Sequence, residues 1–444
     1  MTDHANRTPN LLHLHQALRV GGRSALVLSL ILAGVCCQAV AIEPCPIMED
    51  VELLEGASLN ELRTLENAIS LAEQYNPGLR AAAAAVERQR GLAIQAGLYP
   101  NPDVVAGPNQ LGNVESQYSV QVAQEFVTKG KLRLDRAAAR EAISRADAAY
   151  VQRRFELLTT VRKHYYEALA AKRRVEIIED LTEVAWRSVR AAQQREKGGE
   201  GTTTDTLLLT IEAEQNDVAE LKAIAQYDAR KNELVAVIGL PEIAISTLEG
   251  DLATPLPAFD YALSRQQVVN ENAQVQASAA EVRRSRILLR RAVVEPFPNV
   301  TVEAGYQYFV GGPNNQALLV FGVPLPVWDR NQGNVRAARA EIAQAVDDLG
   351  QVQVELANAL ATAIGNYQAA TQAVDHIKRL IQPKAQRVLN ITQTAYEQGQ
   401  LDFLRLLEAE KTLIEVNLSL VDANERRWTA AAEVAGLLQL EVFP

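Results

Sequence analysis

Between Lys131 and Lys197 the chain contains neither glycine nor proline, and most residues in the stretch are good helix formers. At 1.5 Å per residue, one helix across it would be roughly 100 Å long. No compact domain holds such an element, so the fold must be elongated and the helix must find partners along its length. Val161, Tyr165, Ala168, Ala171, Val175, Ile178, Leu181, Ala185, Val189 and Ala192 step by threes and fours, which is the seam of a coiled coil.

The segments on either side give this helix its place. Upstream, Leu65 to Gly97 reads as helix interrupted at Asn76-Pro77, and Tyr99-Pro100-Asn101-Pro102 ends it, since each proline removes a donor and disfavours helix before it. From Asp103 to Phe126 the period changes to two: Tyr118, Val120, Val122 and Phe126 alternate with Ser119, Gln121 and Glu125. Downstream, Gly198 to Asp205 reverses the chain, its Thr/Asp cluster capping a shorter helix that runs to about Ile238.

The same order then returns. Leu263 to Ala292 reads as helix, Glu295-Pro296-Phe297-Pro298-Asn299 answers the earlier proline cluster, and two strands follow. In the first strand Val300, Val302, Tyr306 and Tyr308 share one face, with Thr301, Glu303 and Gln307 on the other; in the second, Ala317, Leu319, Phe321 and Val323 share a face. Arg330 to Gln398 is a second very long helix with Pro383 as the expected kink, Gly399 opens a second reversal, and Leu401 to Leu440 closes the chain. Corresponding points, such as Pro100 and Pro298 or Tyr166 and Tyr367, lie about 200 residues apart, the mark of a tandem duplication.

The expected division is a signal peptide over 1–41, an N-terminal extension over 42–64, a first repeat over 65–241 with strands near 103–126, a linker over 242–262, and a second repeat over 263–444 with strands near 299–323. The fold class is mainly α with a small β-part of four strands. Four strands cannot close on themselves, whereas about 12 from three copies can form a barrel without open edges. After Ile42 no apolar run approaches the roughly 20 residues of a membrane helix, so a spanning structure has to be such a barrel.

The leader carries Arg19 and Arg23, an apolar run from Ala25 to Val35, and Ala39-Val40-Ala41 as a cleavage pattern. Cys36 and Cys37 after Leu32-Ala33-Gly34-Val35 offer a second reading, a displaced lipidation box, and both readings stand. The net charge of −10 becomes more acidic once the leader's arginines leave, which excludes nucleic acid as an expected partner. Only His164 and His376 remain of the histidines beyond the leader, with Met48 and Cys45 beside them, so no soft-metal cluster is expected and both histidines read as packing or surface residues. No serine, histidine and acid constellation or phosphate-binding loop stands out; neither an enzyme nor a cofactor is expected.

Several motifs resemble the outer-membrane efflux proteins, the TolC-like exit ducts. They are Tyr75-Asn76-Pro77, Tyr99-Pro100-Asn101-Pro102, Gln124-Glu125-Phe126 leading into Lys129-Gly130-Lys131, and Pro324 to Gly333, whose Arg330-Asn331-Gln332-Gly333 close is most similar to the heavy-metal branch. The resemblance implies a homotrimer with a 12-stranded barrel in the outer membrane and an α-barrel across the periplasm. It also implies a periplasmic adaptor and a proton-driven inner-membrane pump as partners, and heavy-metal cations ahead of drugs or secreted proteins as cargo. A rival class, a periplasmic coiled-coil adaptor or scaffold, shares the long helices but presents one hairpin rather than a duplicated frame.

Under the resemblance the two reversals become periplasmic tips that close the duct and meet the adaptor. Gly199, Asp205, Tyr396, Gly399 and Glu408 match the tip pattern, while Leu401 and Arg405 depart from the arginine and aspartate of multidrug members. The expectation drawn from this departure is that Arg405 bonds Asp205 of a neighbouring helix and holds the duct shut. Tyr118, Tyr306, Tyr308, Phe321 and Trp328 are concentrated at the strands of a chain with only 5% aromatics, as an interfacial belt in outer-membrane lipid requires.

Overall fold

The structure, a computed structural model, describes residues 62–443 except 111–115, 200, 242, 244, 246, 311–314, 399 and 402, and gives the backbone alone at 397 and 403. The expected leader, with Cys36 and Cys37, lies outside the described residues, as does Gly399. The first half contains α1 (Leu65–Tyr75), α2 (Pro77–Gln95), β1 (Asp103–Gln110), β2 (Gln117–Phe126), α3 (Lys131–Lys197) and α4 (Thr203–Ile238). The second half contains α5 (Tyr261–Glu271), α6 (Ala273–Val294), β3 (Val300–Phe309), β4 (Gln316–Gly322), α7 (Gln332–His376), a π-helical turn (Ile377–Ile381), α8 (Gln382–Glu397) and α9 (Phe403–Leu437). No described helix is long and apolar enough to cross a membrane.

The uninterrupted stretch is one helix of 67 residues, α3. Its first part packs against α2 and α6, and its later part against α4 and α9. The shorter helices cover it end to end because each meets another at an asparagine. Asn76 caps α2 by accepting from Leu79 N at 3.1 Å while its Nδ2 donates to Val237 O of α4 at 2.8 Å. Asn272 does the same in the second half, accepting from Gln274 N at 2.9 Å and donating to Leu437 O of α9 at 3.0 Å. One side chain thus satisfies an orphan donor of one helix and an orphan acceptor of another. At the first junction Gly239 has φ +91°, and a Cβ there would lie 2.9 Å from Pro77 Cδ, so both backbone conformation and space require glycine.

Pro383 does interrupt the second long helix. The disturbance falls in the turn before it, where Ile377–Ile381 widens to π geometry. A proline ring collides with the carbonyl four residues back, here Arg379, and the wider turn gives it room.

The core lies midway, where the linker crosses the helices. Trp428 is 1% exposed, stacks on Tyr166 with ring centroids 4.0 Å apart, and donates from Nε1 to Leu252 O at 2.9 Å. Lys172 Nζ donates to Leu248 O at 2.9 Å and Tyr367 OH to Pro257 O at 2.8 Å. Leu248 and Leu252 are buried against these helices, so the proline-containing linker is a strap held by side-chain donors rather than a domain.

The four strands form one antiparallel sheet in the order β1-β2-β3-β4. Its register puts Val104, Val122, Ala304 and Leu319 in one row, and Ala106, Val120, Tyr306 and Ala317 in the next. Gln121, Gly305 and Leu318 share a row on the opposite face, with Ser119, Gln307 and Gln316 in another. Gly305 lies against β2 so closely that a Cβ would sit 2.8 Å from Val120 O. Strand passes into helix through left-handed residues, Lys129 and Gly130 before α3 and Asn331 before α7. Asn299, at the entry to β3, is tied to the first of these joints, accepting from Thr128 N at 3.2 Å and donating to Glu125 Oε1 at 2.6 Å.

Candidate functional site

The sheet lies before the first residue of α3 and the reversals after its last, so these two functional regions stand at opposite ends of a helix about 100 Å long. At the first reversal Gly198 caps α3 and Gly199 takes φ +77°. Thr202 caps α4, accepting from Asp205 N at 3.2 Å and donating to Asp205 Oδ2 at 2.8 Å. Thr203 Oγ1 donates to Glu196 Oε1 at 2.7 Å, closing the loop on itself, and lowers the Glu196 carboxyl below its ordinary value. Asp205 is therefore engaged in its own cap, where a carboxylate also complements the positive end of the helix dipole.

The second reversal lies beside the first. Ala185 and Val189 of α3 pack with Leu209 and Ala213 of α4, and Leu407 of α9 covers them. Tyr396 meets the first reversal through Arg195, whose guanidinium carbon is 5.7 Å from the ring centroid and whose Nη1 is 3.5 Å from the hydroxyl. Between the reversals lies a cavity of about 290 Å³ lined by Arg195, Gly201, Asp205, Tyr396, Leu401 and Leu404, among others.

The Arg405–Asp205 bond is not present within the protomer. Arg405 Nη1 lies 3.3 Å from Glu408 Oε2, one turn along α9, with both side chains 70% exposed. The reason is local: an i,i+3 partner is always within reach on a helix, whereas Asp205 is committed to Thr202. The cross-tip contact falls to Arg195 instead, a residue the sequence reading passed over. Its position in the last turn of α3, where cations are favoured, is the signal that could have found it.

At the other end, Tyr118, Tyr306, Tyr308 and Phe321 lie along one face of the sheet and are 47%, 52%, 49% and 65% exposed on the protomer; Trp328, in the joint before α7, is 88% exposed. A sheet with one apolar, aromatic face and one mixed polar face is suited to separate lipid from water, and it leaves β1 and β4 as edges to be paired by other copies. Long helical hairpins continuing from such a sheet define the protomer of a membrane-and-periplasm duct.

Comparison with known proteins agrees. The family model described as outer membrane efflux protein matches twice, over residues 68–240 and 265–438. The chain belongs to the outer membrane efflux protein family. It is 24% identical over 377 residues to the cobalt-zinc-cadmium resistance protein CzcC of Cupriavidus metallidurans, covering 84% of this chain and 90% of that one. Among solved structures, CusC superposes with a TM-score of 0.73 at 17% identity, covering 87% of this chain and 95% of CusC. VceC of Vibrio cholerae superposes with a TM-score of 0.70 at 20% identity, covering 84% and 95%. These two likenesses establish the fold. Family members are passive trimeric outer-membrane channels with a periplasmic helical part, working with adaptors and inner-membrane pumps. This chain is an outer-membrane efflux channel and not an enzyme.

Proposed function

We propose that this protein is the outer-membrane exit duct of a tripartite system that exports divalent heavy-metal cations. The observation that carries the cargo is the likeness to the cobalt-zinc-cadmium resistance protein along nearly all of both chains. The duct itself conducts passively, and discrimination among cations belongs to the pump. In this reading the tips around Gly199, Asp205, Tyr396, Gly399, Leu401, Arg405 and Glu408 gate the duct and receive the adaptor. The aromatic residues Tyr118, Tyr306, Tyr308, Phe321 and Trp328 anchor the barrel at the membrane boundary. Deleting the gene should lower tolerance to cobalt, zinc or cadmium, with restoration by the intact chain. Unchanged metal tolerance together with increased sensitivity to drugs, or loss of a secreted protein, would transfer the duct to the corresponding system.

A further inference from the structure

One cluster of potential metal ligands occurs among the described residues, formed by His164 and Glu167 of α3 and Glu233 of α4. The Nδ1 of His164 is buried without a hydrogen-bond partner and lies 3.3 Å from Glu167 Oε2 and 3.8 Å from Glu233 Oε2. All three ligand atoms fall within 4.8 Å of one another. Bond lengths of about 2.1 Å to imidazole nitrogen and carboxylate oxygen give a tetrahedral site ligand separations of about 3.4 Å, close to the two distances from His164. A positive charge already bridges the two carboxylates, because Arg230 Nη1 is 3.2 Å from Glu167 Oε2 and 2.7 Å from Glu233 Oε2.

We propose that His164, Glu167 and Glu233 bind a divalent transition-metal cation, Zn²⁺ or Co²⁺, which displaces the guanidinium of Arg230 and ties α3 to α4. One imidazole with two carboxylates suits borderline cations better than Cu⁺, which favours sulfur, or Mg²⁺, which favours oxygen alone. Water completes the coordination, as in three-ligand zinc sites. Arg230 is partly exposed and can swing outward, so the ion-paired and metal-bound forms are alternatives of one cluster. The site is remote from the tips and does not depend on the cargo of the duct; its failure leaves the transport reading untouched.

The test is a Co²⁺ titration of the full trimer in detergent, without a polyhistidine tag, followed by visible absorption, with Zn²⁺ equilibrium dialysis in parallel. One ion per protomer with tetrahedral-type absorption is expected. Even changes to groups that support a ligand weaken metal sites by about 10–100-fold, so His164→Gln and the more exposed Glu233→Gln should each weaken binding by at least about tenfold. Arg230→Ala, which removes the competing cation, should tighten it. An ordinary ion-pair cluster predicts instead no ion bound by the parent or by Arg230→Ala. That outcome, or equal binding by His164→Gln, overturns the proposal, and metal-free melting of each trimer shows whether a variant has folded.

Discussion

Asn76 and Asn272 each serve two helices, and the cost of losing either is correspondingly double. Asn272 is 6% exposed, so Asn272→Ala removes an N-cap, about 1 kcal/mol, and strands the carbonyl of Leu437, about 1–3 kcal/mol more. Denaturant unfolding of the trimer should show a loss of about 2 kcal/mol or more per protomer. Glu410 on α9 shows the opposite situation. Its Oε2 is buried without a partner, and burial raises the carboxyl above its ordinary value, with Arg187 opposing weakly. A carboxyl raised in the folded state favours folding at low pH and loses that contribution as pH climbs through its folded value. Glu410→Gln should therefore raise the melting temperature at pH 7, by about 1 kcal/mol in stability, and the advantage should vanish as pH falls below the ordinary glutamate range.

At the scale of elements, the chain is legible where one residue type decides the outcome. The absence of glycine and proline marked α3 from Lys131 to Lys197, and alternation marked β2 and β3, whose apolar positions share a face in the register. The π turn was not legible as such, because Pro383 announces a disturbance without saying whether a kink or a widened turn absorbs it. The tip was half legible. Tyr396 lies at the meeting of the reversals, but its cation comes from the last turn of α3, a position that marks Arg195 as a cation at a helix end without naming the ring it meets. Arg195 over Tyr396 contributes about 0.5–1 kcal/mol at an exposed site, repeated by threefold symmetry. Arg195→Ala should thus raise the open probability of single channels in planar bilayers, while Arg405→Ala should change it less.

For the whole molecule, the protomer is incomplete by construction. The sheet ends at β1 and β4, and its apolar rows, Val104 to Leu319 and Ala106 to Ala317, are exposed on the protomer in a way that lipid and neighbouring copies resolve. Expressed as the full 444-residue chain, the protein should be recovered from outer-membrane fractions as a trimer that runs as such in cold detergent and as a monomer after boiling. A salt-extractable monomer would instead indicate the scaffold class.

The sequence by itself determined the elements and their duplicated order, because helix length, strand period and proline positions are local properties that each segment carries alone. Tertiary structure decided which termini and faces meet: the asparagine bridges at the helix junctions, the strap of the linker across Trp428 and Tyr367, and Arg195 over Tyr396 at the tip. It also brought His164 and Glu233 together. These pairings join residues far apart in the chain, and the side chains involved are common types whose role depends on the neighbour that packing supplies.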